Sequence, residues 1–517
     1  MSRSSPSSSG PSQRTRPPRE QLEEADRLRQ QGKLDRAEAL CYPLATRNPG
    51  YVAALHTLGL IYLDKGSYER ALDCLVRASM LDPTSWMSLT ALSLAYLRLG
   101  ATDMAAQTLE RALAIRPQDA SIFASLGEVH REEREHELAQ RAYRQALTLD
   151  PNLQSAALGL ALCLSALGEP ADAASVLSAA YARGHRSLDL LHVMTTLPPN
   201  VVQLDLLGAL DELAGRTPAA DPKLKNNFLF ARAAALDAAG RHAEAWQTLE
   251  AANRPLAAQH QAELKADIAR RERALASLRG ASFAGANFAG ANFAGALPAA
   301  TGEPPVSLFI VGASRSGKTS LEHLVSAWDG IKAGCETPIV ERSVRRAFHA
   351  SALPPSNDLE DLPASMLPQF RQMYLDELAR RAAGARLLTN TLPGRIYDAG
   401  LIATTIPNVR FLLIKRDADD VALRVYMTKY LSGNPHAYDL KSIRDYLNWY
   451  DMMIDLTAEK LPDITRVVSY ERMVDDPAAT LREVAELCGV SVPDVPAPAL
   501  GHDRGCAAPY KTLMASG

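Results

Sequence analysis

Three residue types share one period over the first third of this chain. Proline recurs at Pro49, Pro83, Pro117 and Pro151, and alanine at Ala37, Ala71, Ala105, Ala139 and Ala173, each 34 residues from the last. Glycine keeps the same step at Gly32, Gly66, Gly100 and Gly168, with Arg134 where one glycine is missing. A fixed period of this length marks a stacked array of small units, each burying its apolar face on its neighbours. The residue types suit their offsets. Glycine ends the first helix of a unit, where the backbone turns left-handed. A small alanine lets the two helices approach closely. Proline closes the second helix and sets the turn into the next unit.

Residues 53–83, AALHTLGLIYLDKGSYERALDCLVRASMLDP, carry the fullest set: Leu58, Gly59, Tyr62, Gly66, Ala71, Leu75, Ala78 and Pro83. This resembles a tetratricopeptide repeat at each diagnostic position except the leading tryptophan, which is Leu55. Five such units are expected over 18–187. Residues 188–280 break register, with Pro198, Pro199, Pro218 and Pro222, and contain one further repeat-like helix pair at 226–256 marked by Gly240, Ala245, Leu249 and Ala252. The resemblance implies a concave face for a peptide or protein partner. An array that only caps or dimerises its neighbour has the same consensus.

Composition narrows the class. The net charge is −3 with 22% charged residues, which argues against nucleic acid and an anionic membrane surface as partners. The six cysteines lack metal-ligand spacing and are expected as reduced thiols in a cytoplasmic protein. No apolar run reaches the ~18 residues that a spanning helix needs. Residues 1–17 are Ser/Pro/Arg-rich and expected to be disordered.

Residues 281–303 read as a linker. They open on ASFAGANFAGANFAGA, similar to a fragment of a pentapeptide-repeat coil, and end in a Gly/Pro/Thr-rich run. Composition then changes. Residues 306–312, VSLFIVG, form a short buried strand, ASRSGKTS follows, and Leu321, Leu324 and Val325 start a helical face. Strand, glycine-bounded loop and helix place backbone N–H groups around an anion. Two families share this loop. Gly312, Gly317, Lys318 and Thr319 complete the P-loop NTPase pattern. The loop also resembles the 5′-phosphosulfate loop of sulfotransferases, usually PRSGTT, with Ser314 and Lys318 as departures.

Downstream residues favour the second family. Residues 408–417, NVRFLLIKRD, read as a strand ending in Arg416 and Asp417, and 420–426, DVALRVY, as a following helix. This resembles the family's 3′-phosphate motif, with Arg416 at the arginine and Arg424 where a serine is usual. Residues 465–471 and 473–477 resemble its strand, Tyr-Glu and acidic-Pro segment. A repeat array before such a domain is similar to the tetratricopeptide-containing sulfotransferases, closest to the tyrosylprotein-type branch. The expected architecture is therefore multidomain: an all-α solenoid, then an α/β P-loop-like domain over 304–517 with a mainly parallel sheet.

The resemblance implies transfer of a sulfuryl group from 3′-phosphoadenosine 5′-phosphosulfate to a hydroxyl of a peptide, protein or glycan, without a metal. Arg315, Ser316, Gly317, Lys318, Thr319 and Ser320 would hold the 5′-phosphosulfate, and Arg416 and Arg424 the 3′-phosphate. Glu336, in AGCETP and 21 residues after Arg315, matches the branch's catalytic base. Arg315 and Lys318 would neutralise developing charge. Thr391 stands where the family has a lysine. Residues 340–385 are expected as an acceptor-side helical insert, and the C-terminal PYKTLMASG as a loose tail. Two alternatives follow from the same residues: a catalytically degenerate domain on a repeat scaffold, and an ATP-binding kinase or hydrolase.

Overall fold

The computed structural model describes residues 17–216, 222–281, 304–351, 356, 358–430, 433–490, 501 and 503–516. The expected disordered tail and nearly all of the pentapeptide-like linker lie outside the described residues. The chain divides into two compact units, Met1–Arg183 and Gly184–Gly517.

The first unit is five helix pairs, from Pro18–Gln30 with Leu34–Arg47 to Gln154–Ala166 with Pro170–Ala182. The periodic alanines Ala37, Ala71, Ala105, Ala139 and Ala173 are all fully buried. The missing glycine is met by force, since Arg134 takes the same left-handed turn at φ +59°. Tyr143 fills the space over two glycines. A Cβ on Gly159 would lie 2.2 Å from its ring, and one on Gly127 2.8 Å.

The second unit is built on a parallel sheet of five strands: β1 (Val306–Val311), β2 (Ile331–Lys332), β3 (Leu387–Asn390), β4 (Val409–Lys415) and β5 (Thr465–Ser469). Their order is β2-β3-β1-β4-β5. The chain leaves β1 to one side through β3 and to the other through β4. Ligands of open α/β sheets bind beyond the strand C-termini at such a switch point. The central strands β1 and β4 are mostly apolar, and their alternate residues enter two separate cores, one on each face of the sheet.

Residues 188–280 do not stand apart from 304–517. Phe230, Leu236, Trp246, Leu249 and Leu256 share one core with Phe309, Phe411, Tyr426 and Tyr450. Asn253 Nδ2 donates to the Tyr426 carbonyl at 2.9 Å, and Trp449 Nε1 to that of Arg271 at 3.0 Å. Helices Pro222–Ala238 and His242–Gln259 thus brace the helix Ala418–Tyr426 that follows β4. The C-terminal segment is no loose tail either. Tyr510 is fully buried and lies against the His242 and Trp246 rings.

Candidate functional site

Residues that follow the C-terminal ends of all five strands line one edge of the sheet. The loop after β1 carries two left-handed residues, Arg315 at φ +67° and Gly317 at φ +98°. Strain of this kind in a non-glycine residue is held only where surrounding structure enforces it. Gly312 has no room for a side chain, because a Cβ would lie 2.3 Å from Ile414 Cγ2 and 2.4 Å from Ser316 Oγ. The helix Lys318–Ser326 starts directly after the loop, so the N–H groups of its first turn point at the space above β1. Ser316 Oγ is buried there and makes no hydrogen bond. A buried, unpaired hydroxyl beside free N–H groups is the donor set an anionic oxygen requires. Thr319 is exposed and Ser320 half-buried on the same turn.

Lys318 turns inward. Its Nζ donates to the Ala313 carbonyl at 3.0 Å, inside the loop. Burial pushes its ammonium down to about 8, with Glu336 and Glu322 opposing and Arg315 adding to the shift. Lys318 is therefore coupled to Glu336 through charge. Glu336 sits half-buried in the turn after β2. That turn is wedged against β3: a Cβ on Gly334 would meet the Thr389 carbonyl at 2.0 Å. Thr391 N donates to the Cys335 carbonyl at 2.9 Å, and Asn390 Nδ2 to that of Thr337 at 2.9 Å.

A residue that sequence reasoning passed over ties these parts together. Glu322, one turn into the loop helix, is 1% exposed. Its Oε1 accepts from Cys335 N at 2.9 Å and from the Thr389 hydroxyl, which itself accepts from Gly334 N at 2.9 Å. Burial raises the Glu322 carboxyl above its usual range against these hydrogen bonds.

On the β4 side, Arg416 is not open. Its side chain is 2% exposed. Nη1 donates to Asp503 Oδ2 at 3.0 Å and to the Arg315 carbonyl at 3.2 Å, and Nη2 to the Asp503 carbonyl at 2.7 Å. Arg424 Nε lies 3.9 Å from the same Asp503 oxygen. Tyr470, after β5, donates to Asp503 Oδ1 at 2.8 Å and lies under the Arg416 guanidinium at 4.4 Å. Tyr470 belongs to the Tyr-Glu segment read from the sequence, whereas Asp503 and Tyr430, whose hydroxyl is 2.8 Å from Ser314 Oγ, were invisible to motif spacing. Lys511 is exposed.

Beside Arg315 and Arg424 opens a cavity of about 500 Å³, lined also by His192, Leu197, Phe230 and Lys429. Its far wall comes from residues 192–239. The insert over 340–385, expected on the acceptor side, contributes nothing to this cavity. Its helices Ile339–Ala350 and Leu367–Ala382 pack instead into the unit's core.

The sequence of this unit matches a family model described as sulfotransferase family over residues 305–494. The tetratricopeptide repeat model matches 22–83, 56–120 and 125–186. Among curated proteins, the chain is 26% identical over 195 residues to protein-tyrosine sulfotransferase 2 of Gallus gallus, covering 36% of this chain and 52% of that one. It is 24% identical over 195 residues to protein-tyrosine sulfotransferase of Drosophila melanogaster, covering 35% and 38%. The chain thus spans about half or less of these relatives' own length. A tetratricopeptide protein of Thermus thermophilus is similar at 23% identity over 34% of this chain and 95% of that one, with a TM-score of 0.32. No helix among the described residues is long and apolar enough to cross a membrane.

Proposed function

We propose that this chain, a tetratricopeptide-repeat region joined to a sulfotransferase-family domain, moves a sulfuryl group from the 5′-phosphosulfate of an adenosine nucleotide to a hydroxyl of a peptide, protein or glycan. One observation supports it above the rest: the loop after β1 offers a buried, unpaired Ser316 hydroxyl and free helix N–H groups beside Glu336, which is coupled by charge to Lys318.

The donor that the resemblance implies is 3′-phosphoadenosine 5′-phosphosulfate. Its 5′ half fits these residues. Arg315, Ser316, Gly317, Lys318, Thr319 and Ser320 would hold it, and a bound phosphosulfate supplies an electrophilic sulfur with a phosphate leaving group. Its 3′-phosphate does not fit as the side chains stand, because Arg416 is already paired with Asp503.

Glu336 is assigned as the base that takes the acceptor's hydroxyl proton. As the acceptor oxygen bonds to sulfur, the bond from sulfur to the nucleotide phosphate breaks. The loop N–H groups and Ser316 then face the charge that returns to that phosphate. Lys318 adds positive charge from within the loop. The acceptor is assigned to the cavity beside Arg315, and the repeat array to docking a peptide acceptor or a protein partner. The names of the two animal relatives point to tyrosine as one acceptor.

One observation favours a non-catalytic scaffold instead, namely the closed state of Arg416. An ATP-dependent reading fits less well, since Lys318 points back at Ala313 and β3 ends at Asn390, followed by Thr391, without a carboxylate. Calorimetry separates the three. The proposal expects adenosine 5′-phosphosulfate to bind without magnesium and to lose affinity in Arg315→Ala. Magnesium-dependent binding of ATP alone contradicts it, and nucleotide binding without turnover on any hydroxyl favours the scaffold.

A further inference from the structure

Arg416, Arg424 and Tyr470 converge on a single carboxylate. Asp503 Oδ2 receives Arg416 Nη1 at 3.0 Å and lies 3.9 Å from Arg424 Nε, while Oδ1 accepts the Tyr470 hydroxyl at 2.8 Å. Two guanidinium groups and a phenol around one pair of oxygens form an anion site. The site adjoins the phosphate loop, because Arg416 also donates to the carbonyl of Arg315 at 3.2 Å. Asp420 lies 3.6 Å from Arg416 Nη2, so a second carboxylate faces the same arginine. Asp420 in turn accepts from Gly505 N at 2.6 Å and Ala507 N at 2.9 Å, which fixes the segment that carries Asp503. The Asp503 carboxyl is raised by burial, but the charge and hydrogen bonds of Arg416 outweigh that and hold it below the usual range.

We infer that Asp503 occupies the place of a second nucleotide phosphate, so that this chain prefers a 5′-phosphosulfate or 5′-phosphate nucleotide without a 3′-phosphate over the 3′,5′-bisphosphate form. The inference rests on the donor reading of the phosphate loop. A 3′-phosphate would bring two negative charges to arginines already neutralised by Asp503 and Asp420. A nucleotide lacking that group meets no such repulsion and needs only the loop. The carboxylate lies at 503, beyond the residues matched by the family model, which end at 494. Selectivity would thus come from the C-terminal segment rather than from the loop.

The test is calorimetry on the full chain with adenosine 5′-monophosphate and adenosine 3′,5′-bisphosphate as probes. Wild type, Asp503→Asn and Asp503→Ser are compared. Wild type binds the monophosphate at least as tightly as the bisphosphate. Both variants tighten the bisphosphate at least ~10-fold, about 1.4 kcal/mol, and change the monophosphate by less than ~3-fold. The monophosphate titration in each variant also reports that its loop is folded. Retained monophosphate binding with no gain for the bisphosphate in either variant overturns the role of Asp503 alone. A wild-type chain that already prefers the bisphosphate does the same. Binding of neither probe, with ATP and magnesium bound instead, overturns the donor reading and this inference together.

Discussion

The backbone N–H of Cys335 donates to the Glu322 carboxylate at 2.9 Å, joining the turn that carries Glu336 to the helix that follows the phosphate loop. Thr389 completes the link by donating to the same oxygen and accepting from Gly334 N. Glu322 is thus a positioning residue, holding the assigned base at a fixed offset from the loop. Removing it leaves a buried N–H and a hydroxyl without their acceptor, and small misplacement of a reacting group costs about 100-fold. Glu322→Leu is expected to lower kcat by about that factor while nucleotide affinity stays within ~3-fold. Glu322→Gln, which still accepts from Cys335, restores most of the rate. Equal losses in kcat and affinity would assign Glu322 to the loop's general stability instead.

Lys318 gives the site a pH signature. Its ammonium is pushed down to about 8 by burial. As pH rises through that value the lysine loses its charge, and the loop loses attraction for an anion. Affinity for adenosine 5′-phosphosulfate is expected to fall between pH 7 and 9. Lys318→Met should bind more weakly at pH 7 and show a flat profile across that range. A wild-type profile equally flat would place the Lys318 charge outside the binding step.

Glu377, on helix Leu367–Ala382, links stability to acid. Its side chain is 2% exposed and pairs with Arg380 at 2.7 Å, Arg381 at 2.7 Å, Arg346 at 3.4 Å and Arg342 at 3.6 Å. Burial raises its carboxyl, and hydrogen bonds from Arg380 and Arg381 outweigh that, bringing it to about 2. The folded value lies below the ~4.3 of an unfolded glutamate. Its stabilisation is therefore complete above that value and is lost as pH falls towards 2. Glu377→Gln should destabilise the unit by about 2–3 kcal/mol at neutral pH, discounting the half-exposed arginines. The difference from wild type should shrink between pH 5 and 2, as read by denaturant unfolding.

In the repeat array, Arg134 holds a glycine's conformation at φ +59°. A left-handed residue with a Cβ costs ~1–2 kcal/mol. The greater freedom of glycine in the unfolded chain returns part of that. Arg134→Gly should therefore stabilise the array by about 1 kcal/mol in chemical denaturation. A loss of stability would mean that the side chain's own contacts outweigh the backbone strain.

These features differ in how far the sequence announces them. The repeat array was legible because its signal is local and repeated: Gly66, Ala71 and Pro83 recur at fixed offsets. The phosphate loop was legible because strand, loop and helix are contiguous from Val306 to Val325. The site's supports were not. Glu322 meets Thr389 across 67 residues and Arg416 meets Asp503 across 87, and no spacing rule links such pairs. The helix pair over 222–259 was legible too, but its packing partner was not. Gly240, Ala245 and Leu249 show the offsets of a repeat whichever partner buries them. Trp246, large and set against Tyr426, was the sign that this face belongs to the α/β core.

Sulfuryl transfer with Glu336 as base can be followed directly. Its most direct measurement follows radiolabelled sulfate from adenosine 5′-phosphosulfate, or from its 3′-phosphorylated form with Asp503→Asn, to a tyrosine-containing peptide. Label is expected on the peptide with wild-type Glu336, and a loss of about 100-fold or more in Glu336→Gln, with nucleotide affinity unchanged. Transfer that survives Glu336→Gln at the full rate, or label that never leaves the nucleotide in any glutamate-bearing chain, would contradict it.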